Sequence, residues 1–385
     1  MPQILSSVNV TVFGTASATP SSSRNHSALA LRLNGDTWLF DCGEATQHRI
    51  QKSSVRLGKN IKKIFITHTH GDHIFGILPL MAAVLNGAGG MIDVAQDTRL
   101  QSSTTEEVQP LEIYGPLGTR AFIRAGSFYS YTNFGAPYVV HELRFPSDPS
   151  DGDYTELPLR LPERPGRNIA QTDGVWKDIF RDDIVSVFAA PILHSVPCVG
   201  FVVTELPIPG KINPKDYIPH LKRNKAPMST MRRLQDGESV ELPDGTVLHG
   251  PPRKPGRKLV ILGDTYDPSP IADLALDADL LIHEATNAHL PGTDPRTKDG
   301  DTYEGVEAQS TSRGHSTPQM AGAFAKRIRA RKLLLNHFSA RYVDDGESEE
   351  AKNIMEAIRG LAMQKYDGPV VCARDFMSFD VELHN

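Results

Sequence analysis

FITHTHGDHIFG, residues 65–76, places His68, His70, Asp72 and His73 within six positions. The segment before it, KKIFIT (62–67), reads as a buried strand. The segment after it, Ile74–Leu85, reads as a helix ended by the glycine-rich Gly87–Gly90. On an extended segment, His68 and His70 point to the same side, and Asp72 and His73 follow on the turn into the helix. The first pair is placed to ligate one ion and the second pair a neighbour. Neutral imidazole and carboxylate are the ligands of catalytic zinc. Two ions about 3.5–4 Å apart can share one hydroxide and clamp a phosphoryl group. A lone histidine is more often a satisfied core or surface residue. Four ligand-type side chains directly after an apolar strand are not explained that way.

Four ligands do not complete two ions, so other strand ends must supply the rest. APILHSVP offers His194, VILGDTYD offers Asp264, RGHSTPQ offers His315 and LLIHEAT offers His283. Asp264 is placed to bridge. Each of these residues taken singly also reads as a turn residue or a helix cap.

The remaining sequence suits such a site. The length of 385 residues allows one large domain or two ordinary ones. The net charge of −5 supplies no global basic field, so a polyanion would have to meet a local basic patch. Cys42, Cys198 and Cys372 are too few and too scattered for a disulfide framework, which points to a reducing compartment. The N-terminus reads as a strand, with neither a signal peptide nor a clear mitochondrial transit peptide. No apolar run reaches the roughly 20 residues of a membrane span. A cytoplasmic or nuclear protein is expected.

Strand patterns at 8–14, 27–33, 37–41, 62–67, 111–116, 184–190, 199–205, 258–264, 279–285, 332–338 and 369–376 alternate with helical ones. Thr317-Pro318 marks a helix start. The reading is one α/β domain with insertions over 1–385, its two similar halves suiting a sandwich of two sheets flanked by helices. Residues 91–108 and 145–178 read as surface insertions, and 206–256 as a larger excursion. Within it, Lys211, Lys215, Lys222, Arg223, Lys225, Arg232 and Arg233 form a basic run, and ELPDGTV (241–247) reads as a hairpin.

The ordered set HTHGDH, HSV, GDT, HEAT and GHST, with WLFDCGEATQHRI (38–50) and NHFSARY (336–342), resembles ribonuclease Z. This is the tRNA 3′-processing endoribonuclease family of the metallo-β-lactamase superfamily. The resemblance spans about residues 8–380 and implies an αββα sandwich of two mixed sheets with an inserted flexible arm. It implies two zinc ions per subunit, replaceable by manganese or another divalent metal. His68, His70 and His194 would hold one, and Asp72, His73 and His315 the other, with Asp264 between. It further implies that Asp72 orients or deprotonates the attacking water and that His283 protonates the leaving 3′ oxygen. Where family members often carry glycine, this chain has Ala45 and Leu193.

Segment 206–256 then corresponds to an arm that grips precursor tRNA. Lys211, Lys215, Lys222, Arg223 and Lys225 would meet phosphates, giving affinity with little base reading. Ser339 and Arg341 are further candidates for phosphate contact, with a structural salt bridge as the alternative for Arg341. The resemblance also implies a homodimer. Two other functions compete: a phosphodiesterase of the same fold acting on small or cyclic substrates, and a non-catalytic RNA-binding scaffold. The arm speaks against the first and the full ligand set against the second.

Overall fold

The computed structural model describes residues 5–86, 109–343 and 348–383. The expected insertion at 91–108 and the glycines at 87–90 lie outside them. Runs of β-branched and aromatic residues build two large sheets. The first runs in the order Ser378–Asp380, Val8–Gly14, Ala28–Leu33, Asp36–Phe40, Ile61–Phe65, Leu111–Pro116, Tyr138–Arg144 and Glu163–Arg164, with Asn168–Ala170 also on Tyr138–Arg144. The second runs Trp176–Arg181, Val185–Ile192, Cys198–Glu205, Lys258–Ile261, Leu280–Glu284, Leu333–Asn336 and Val370–Cys372. Hairpin-like antiparallel pairs occupy one side of each sheet. From Asp36–Phe40 and from Lys258–Ile261 onward the pairing is parallel, as crossovers through helices require.

The sheets face each other across an apolar layer. Val10, Leu31, Phe40 and Phe65 of the first sheet meet Val187, Phe201, Ile261 and Ile282 of the second. The outer face of the first sheet is covered by helices Ile77–Leu85 and Thr119–Tyr129, through Leu80, Met81 and Ile123. The outer face of the second is covered by Pro318–Arg327 and Glu349–Met363, through Ala321, Phe324, Ile354 and Ile358. The Thr317 hydroxyl caps the first of these helices by accepting from the Met320 amide. The result is the expected four-layer αββα sandwich.

Phe65 lies at the centre of the inner layer. It stacks on Phe40 at 4.8 Å and on Tyr114 at 5.1 Å, and meets Phe201 of the opposite sheet edge-on at 5.3 Å. Phe65→Ala is expected to destabilise the protein by about 3–5 kcal/mol in urea unfolding. A loss below about 1 kcal/mol would mean that the site closes up at little cost.

Two excursions are more structured than their composition suggests. Segment 145–178 contributes Glu163–Arg164 and Asn168–Ala170 to the first sheet, and its last residues begin Trp176–Arg181 of the second. Buried Trp176 donates to the carbonyls of Arg144 and Ile169, and Arg124 forks onto Glu163 at 2.7 and 2.9 Å. Apolar periodicity is weak here because the strands are short and held largely by polar groups. Segment 206–256 folds into helices Pro214–Arg223 and Thr230–Gln235 and the hairpin Ser239–Glu241/Val247–His249. Leu221, Leu234, Val240, Leu242 and Leu248 form its own small core. Its neck is held by the bridge between Ile208 and Lys254, with both amides donating across it, and by Arg253 Nε donating to the Pro207 carbonyl.

Parallel pairing sends the carboxyl ends of the central strands to one edge. Asp41, the HTHGDH turn, His194, Asp264 and His337 all leave strands there, as ligand sites do in open α/β sheets.

Candidate dinuclear metal centre

At that edge ligand-type side chains of the described residues converge in three groups, the third being Glu284, His315 and His337. His68, His70, His194 and Asp264 form the first, and Asp72, His73, Asp264 and His337 the second. Asp264 belongs to both of these. Its Oδ2 is 3.8 Å from His68 Nε2, and its Oδ1 is 3.3 Å from both His73 Nε2 and His337 Nε2. His70 Nδ1 lies 3.1 Å from His68 Nε2 and 3.2 Å from His194 Nε2, and His73 Nε2 lies 3.2 Å from His337 Nε2. Tetrahedral zinc with bonds of 2.0–2.1 Å has ligand-to-ligand edges of about 3.3 Å.

The outer nitrogens of these rings explain why the inner ones fit a metal. His73 Nδ1 donates to Asp41 Oδ2 at 2.7 Å, His194 Nδ1 to the Gly314 carbonyl at 2.7 Å, and His337 Nδ1 to Thr286 Oγ1 at 3.1 Å. Each outer bond fixes the tautomer, so a lone pair faces inward. Lone pairs at such separations repel unless a cation lies between them, so the donor set fits zinc.

Charge follows the same pattern. Burial, with the neighbouring histidines, pushes His68 well below its ordinary value, so it stays neutral and ready to ligate. Burial opposes charge on His73, yet Asp264 and Asp41 outweigh it and raise this ring well above the ordinary range. The acidic cluster thus calls for a cation there, and a metal held by this group would displace that proton. Burial would likewise raise Asp264 and Asp72. The imidazoles of His337 and His73 more than offset it, and both carboxylates are held low.

Local sequence builds this geometry. Asp41, at the end of Asp36–Phe40, adopts a left-handed φ of 59°. Its Oδ1 accepts from the Thr67 amide and its Oδ2 from the Thr67 hydroxyl, besides His73. A Cβ on Gly76 would come within 2.0 Å of the Gly43 carbonyl, so glycine lets the ligand-bearing helix seat on the GEAT turn. Ala45 in that turn has φ 63°, which explains the family preference for glycine there.

The structure places two of the expected residues differently. His337, from NHFSARY, joins Asp72, His73 and Asp264, while His315 lies in a third cluster with Glu284 and His337. His315 Nδ1 instead donates to Glu284 Oε1 at 3.1 Å and lies 3.8 Å from Asp264. Burial opposes its charge, but Glu284 pushes it up to about 9. Glu284 also accepts from the amides of Thr265 and Ser316 and from the Thr286 hydroxyl, so its orientation is set on all sides.

His283 does not reach the centre. It is fully buried, its Nδ1 donates to the Glu284 carbonyl, and its ring packs against Phe324. Burial depresses its basicity. Along Leu280–Glu284, Glu284 is the residue turned toward the site, because successive side chains of a strand face opposite ways. Sequence reading missed Asp41, Glu284 and His337. All three lie in motifs already singled out, each at or just beyond a strand end. Arg341 pairs with buried Asp294 at 3.3 Å, the structural alternative. Ser339 is half-buried in the two-residue pairing of Phe338–Ser339 with Ala16–Ser17.

A four-layer sandwich with His/Asp clusters of metal-ligating character gathered around a shared carboxylate at its strand ends defines a metallo-β-lactamase-fold hydrolase. The family model described as anti-Pycsar protein Apyc1 matches residues 8–87. Zinc phosphodiesterase ELAC protein 1 of Bos taurus is 37% identical, over 98% of this chain and 99% of its own. Ribonuclease Z of a Cyanothece strain is 34% identical, over 98% and 97%. The crystal structure of human tRNase Z, short form (ELAC1), superposes with a TM-score of 0.60 at 31% identity, covering 97% of this chain and 100% of that one. The chain belongs to the ribonuclease Z family.

Proposed function

We propose that this protein is a zinc-dependent endoribonuclease that removes the 3′ trailer from precursor tRNA. It leaves a 3′-hydroxyl on the tRNA and a 5′-phosphate on the trailer. The observation that carries the reading is the pairing of an end-to-end ribonuclease Z match with both ligand groups intact around Asp264. Two zinc ions per subunit are proposed, one held by His68, His70, His194 and Asp264, the other by Asp72, His73, Asp264 and His337. Zinc in these cradles supplies a water of lowered pKa at neutral pH and a positive field for phosphoryl oxygens.

The side chains do the rest. Asp72, kept ionised by His337 and His73, orients the attacking water. His315, kept protonated by Glu284, donates to the leaving 3′ oxygen of the discriminator nucleotide as the phosphorus–oxygen bond breaks. His283, buried behind Glu284, takes no part in the proton transfer.

The arm supports the choice of substrate. Arg223 is drawn to Asp244 and Arg233 to Glu238. Lys211, Lys215, Lys222, Lys225 and Arg232 remain exposed for phosphates of a structured RNA. In a homodimer, the arm of one subunit would serve RNA bound at the other. No helix among the described residues is long and apolar enough to cross a membrane.

The test is cleavage of a 3′-extended precursor tRNA beside a small phosphodiester, with chelator and with zinc restored. Chelator should stop both reactions and zinc return them. Small-ester turnover without precursor cleavage would instead support the small-substrate phosphodiesterase. Because the arm packs around its own core and joins the sandwich through a two-strand neck at Ile208 and Lys254, replacing residues 209–253 by a short glycine linker should leave the sandwich intact. This variant is expected to bind precursor at least about tenfold more weakly, having lost several phosphate contacts, and to keep small-ester turnover. Equal loss of both activities would remove the arm from substrate binding.

A further inference from the structure

We infer that the loop from Thr15 to Asn25 is a brace for the second metal site, with Ala18 and Arg24 as its positioning residues. This rests on the two-ion reading above. The loop touches two of the second group's ligands. The Ala18 amide donates to Asp72 Oδ2 at 2.8 Å, on the same oxygen that faces His337 Nε2 at 3.3 Å. Ala16–Ser17 pairs in parallel with Phe338–Ser339, and the Phe338 amide donates to the Thr15 carbonyl at 2.8 Å. The residue immediately before Phe338 is His337.

Both contact points are strained. Ala18 has φ 57° and His337 has φ 56°, left-handed conformations that cost a residue with a Cβ free energy. Such conformations persist only where their surroundings over-determine them. Arg24 supplies part of that constraint. It is 1% exposed. Its guanidinium donates to the Tyr342 carbonyl at 2.8 Å and Thr15 Oγ1 at 2.7 Å, and lies 4.7 Å over the Phe338 ring. Asp375 anchors both ends of the loop, accepting from Thr15 Oγ1 and from the Asn25 amide, each at 2.8 Å. The loop makes none of the outer hydrogen bonds to the histidines of the first group, which are supplied by Thr67 and Gly314. Disturbing it should therefore weaken one ion and spare the other.

Calorimetric titration of the apoprotein with zinc separates the cases. Ala18→Pro removes the amide donor and forbids the left-handed φ; Ala18→Gly keeps the donor and relaxes the strain. Arg24→Lys keeps the charge but loses the planar fork. Wild type and Ala18→Gly should bind two ions. Ala18→Pro and Arg24→Lys should bind the first ion normally and the second about 10–100-fold more weakly, the usual cost of losing an outer hydrogen bond at a metal site. Two ions of unchanged affinity in both variants would overturn the brace alone. Equal weakening of both ions would also overturn it, since the damage would then be general. A single ion in wild type would overturn the two-ion reading itself. If Ala18→Pro fails to fold, Arg24→Lys carries the same comparison.

Discussion

Asp264→Ala will cut precursor cleavage by at least about 10³-fold and lower the bound zinc. Among the described residues this side chain alone is common to the His68 and the His73 groups, with one oxygen toward His68 and the other toward His73 and His337. On the two-ion proposal, removing it would take a ligand from each group and a negative charge from between the ions. Metal sites supply several kcal/mol of transition-state stabilisation, and each 1.36 kcal/mol is tenfold in rate. The carboxylate is fully buried, so neither solvent nor a neighbour can replace it. Single-turnover cleavage read beside elemental analysis of zinc checks the prediction. A variant that keeps two ions and more than a few per cent of the activity would show that Asp264 bridges nothing.

The second large effect separates two histidines that the sequence made hard to tell apart. His315→Ala should slow precursor cleavage by about 10²–10⁴-fold, the usual worth of a general acid, while zinc content stays at the wild-type level. The reason is geometric: His315 faces the centre from Glu284 and is raised to about 9 by that carboxylate. The defect should nearly vanish on a phosphodiester with a nitrophenolate leaving group, which departs without a proton. His283→Ala should lower thermal stability, because it empties a buried site against Phe324, and leave the cleavage rate within a few-fold. Zinc loss in His315→Ala would return that residue to the ligand role its motif first suggested. A rate collapse in a folded His283→Ala would restore His283 as the acid.

HTHGDH was readable because its ligands are contiguous and follow a strand whose apolar pattern is unmistakable. His194 and Asp264 were readable for a related reason: each sits just past a buried strand. His337 was harder to find. Its left-handed φ and its position between Leu333–Asn336 and Phe338–Ser339 depend on a pairing with Ala16–Ser17, far away in the chain. His283 was expected to act as the acid because the HEAT segment places it at a strand end, but a strand turns neighbours to opposite faces, and it is Glu284 that faces the site. The segment 145–178 looked irregular because ion pairs and an indole hold it, and these leave no periodicity.

The chemistry of the site was therefore determined by the sequence alone. Imidazoles and carboxylates at strand ends specify metal-assisted hydrolysis wherever the chain brings them together, since ligand type and local spacing are local properties. The division of labour among the histidines was decided only in three dimensions. Which ring faces an ion, which faces a carboxylate and which faces the core depends on sheet register and on long-range hydrogen bonds. His68 sits 3.8 Å from Asp264 across the two sheets, and His337 sits 3.3 Å from Asp72 across 265 positions of chain. No local pattern encodes such distances, because they arise from packing one sheet upon the other.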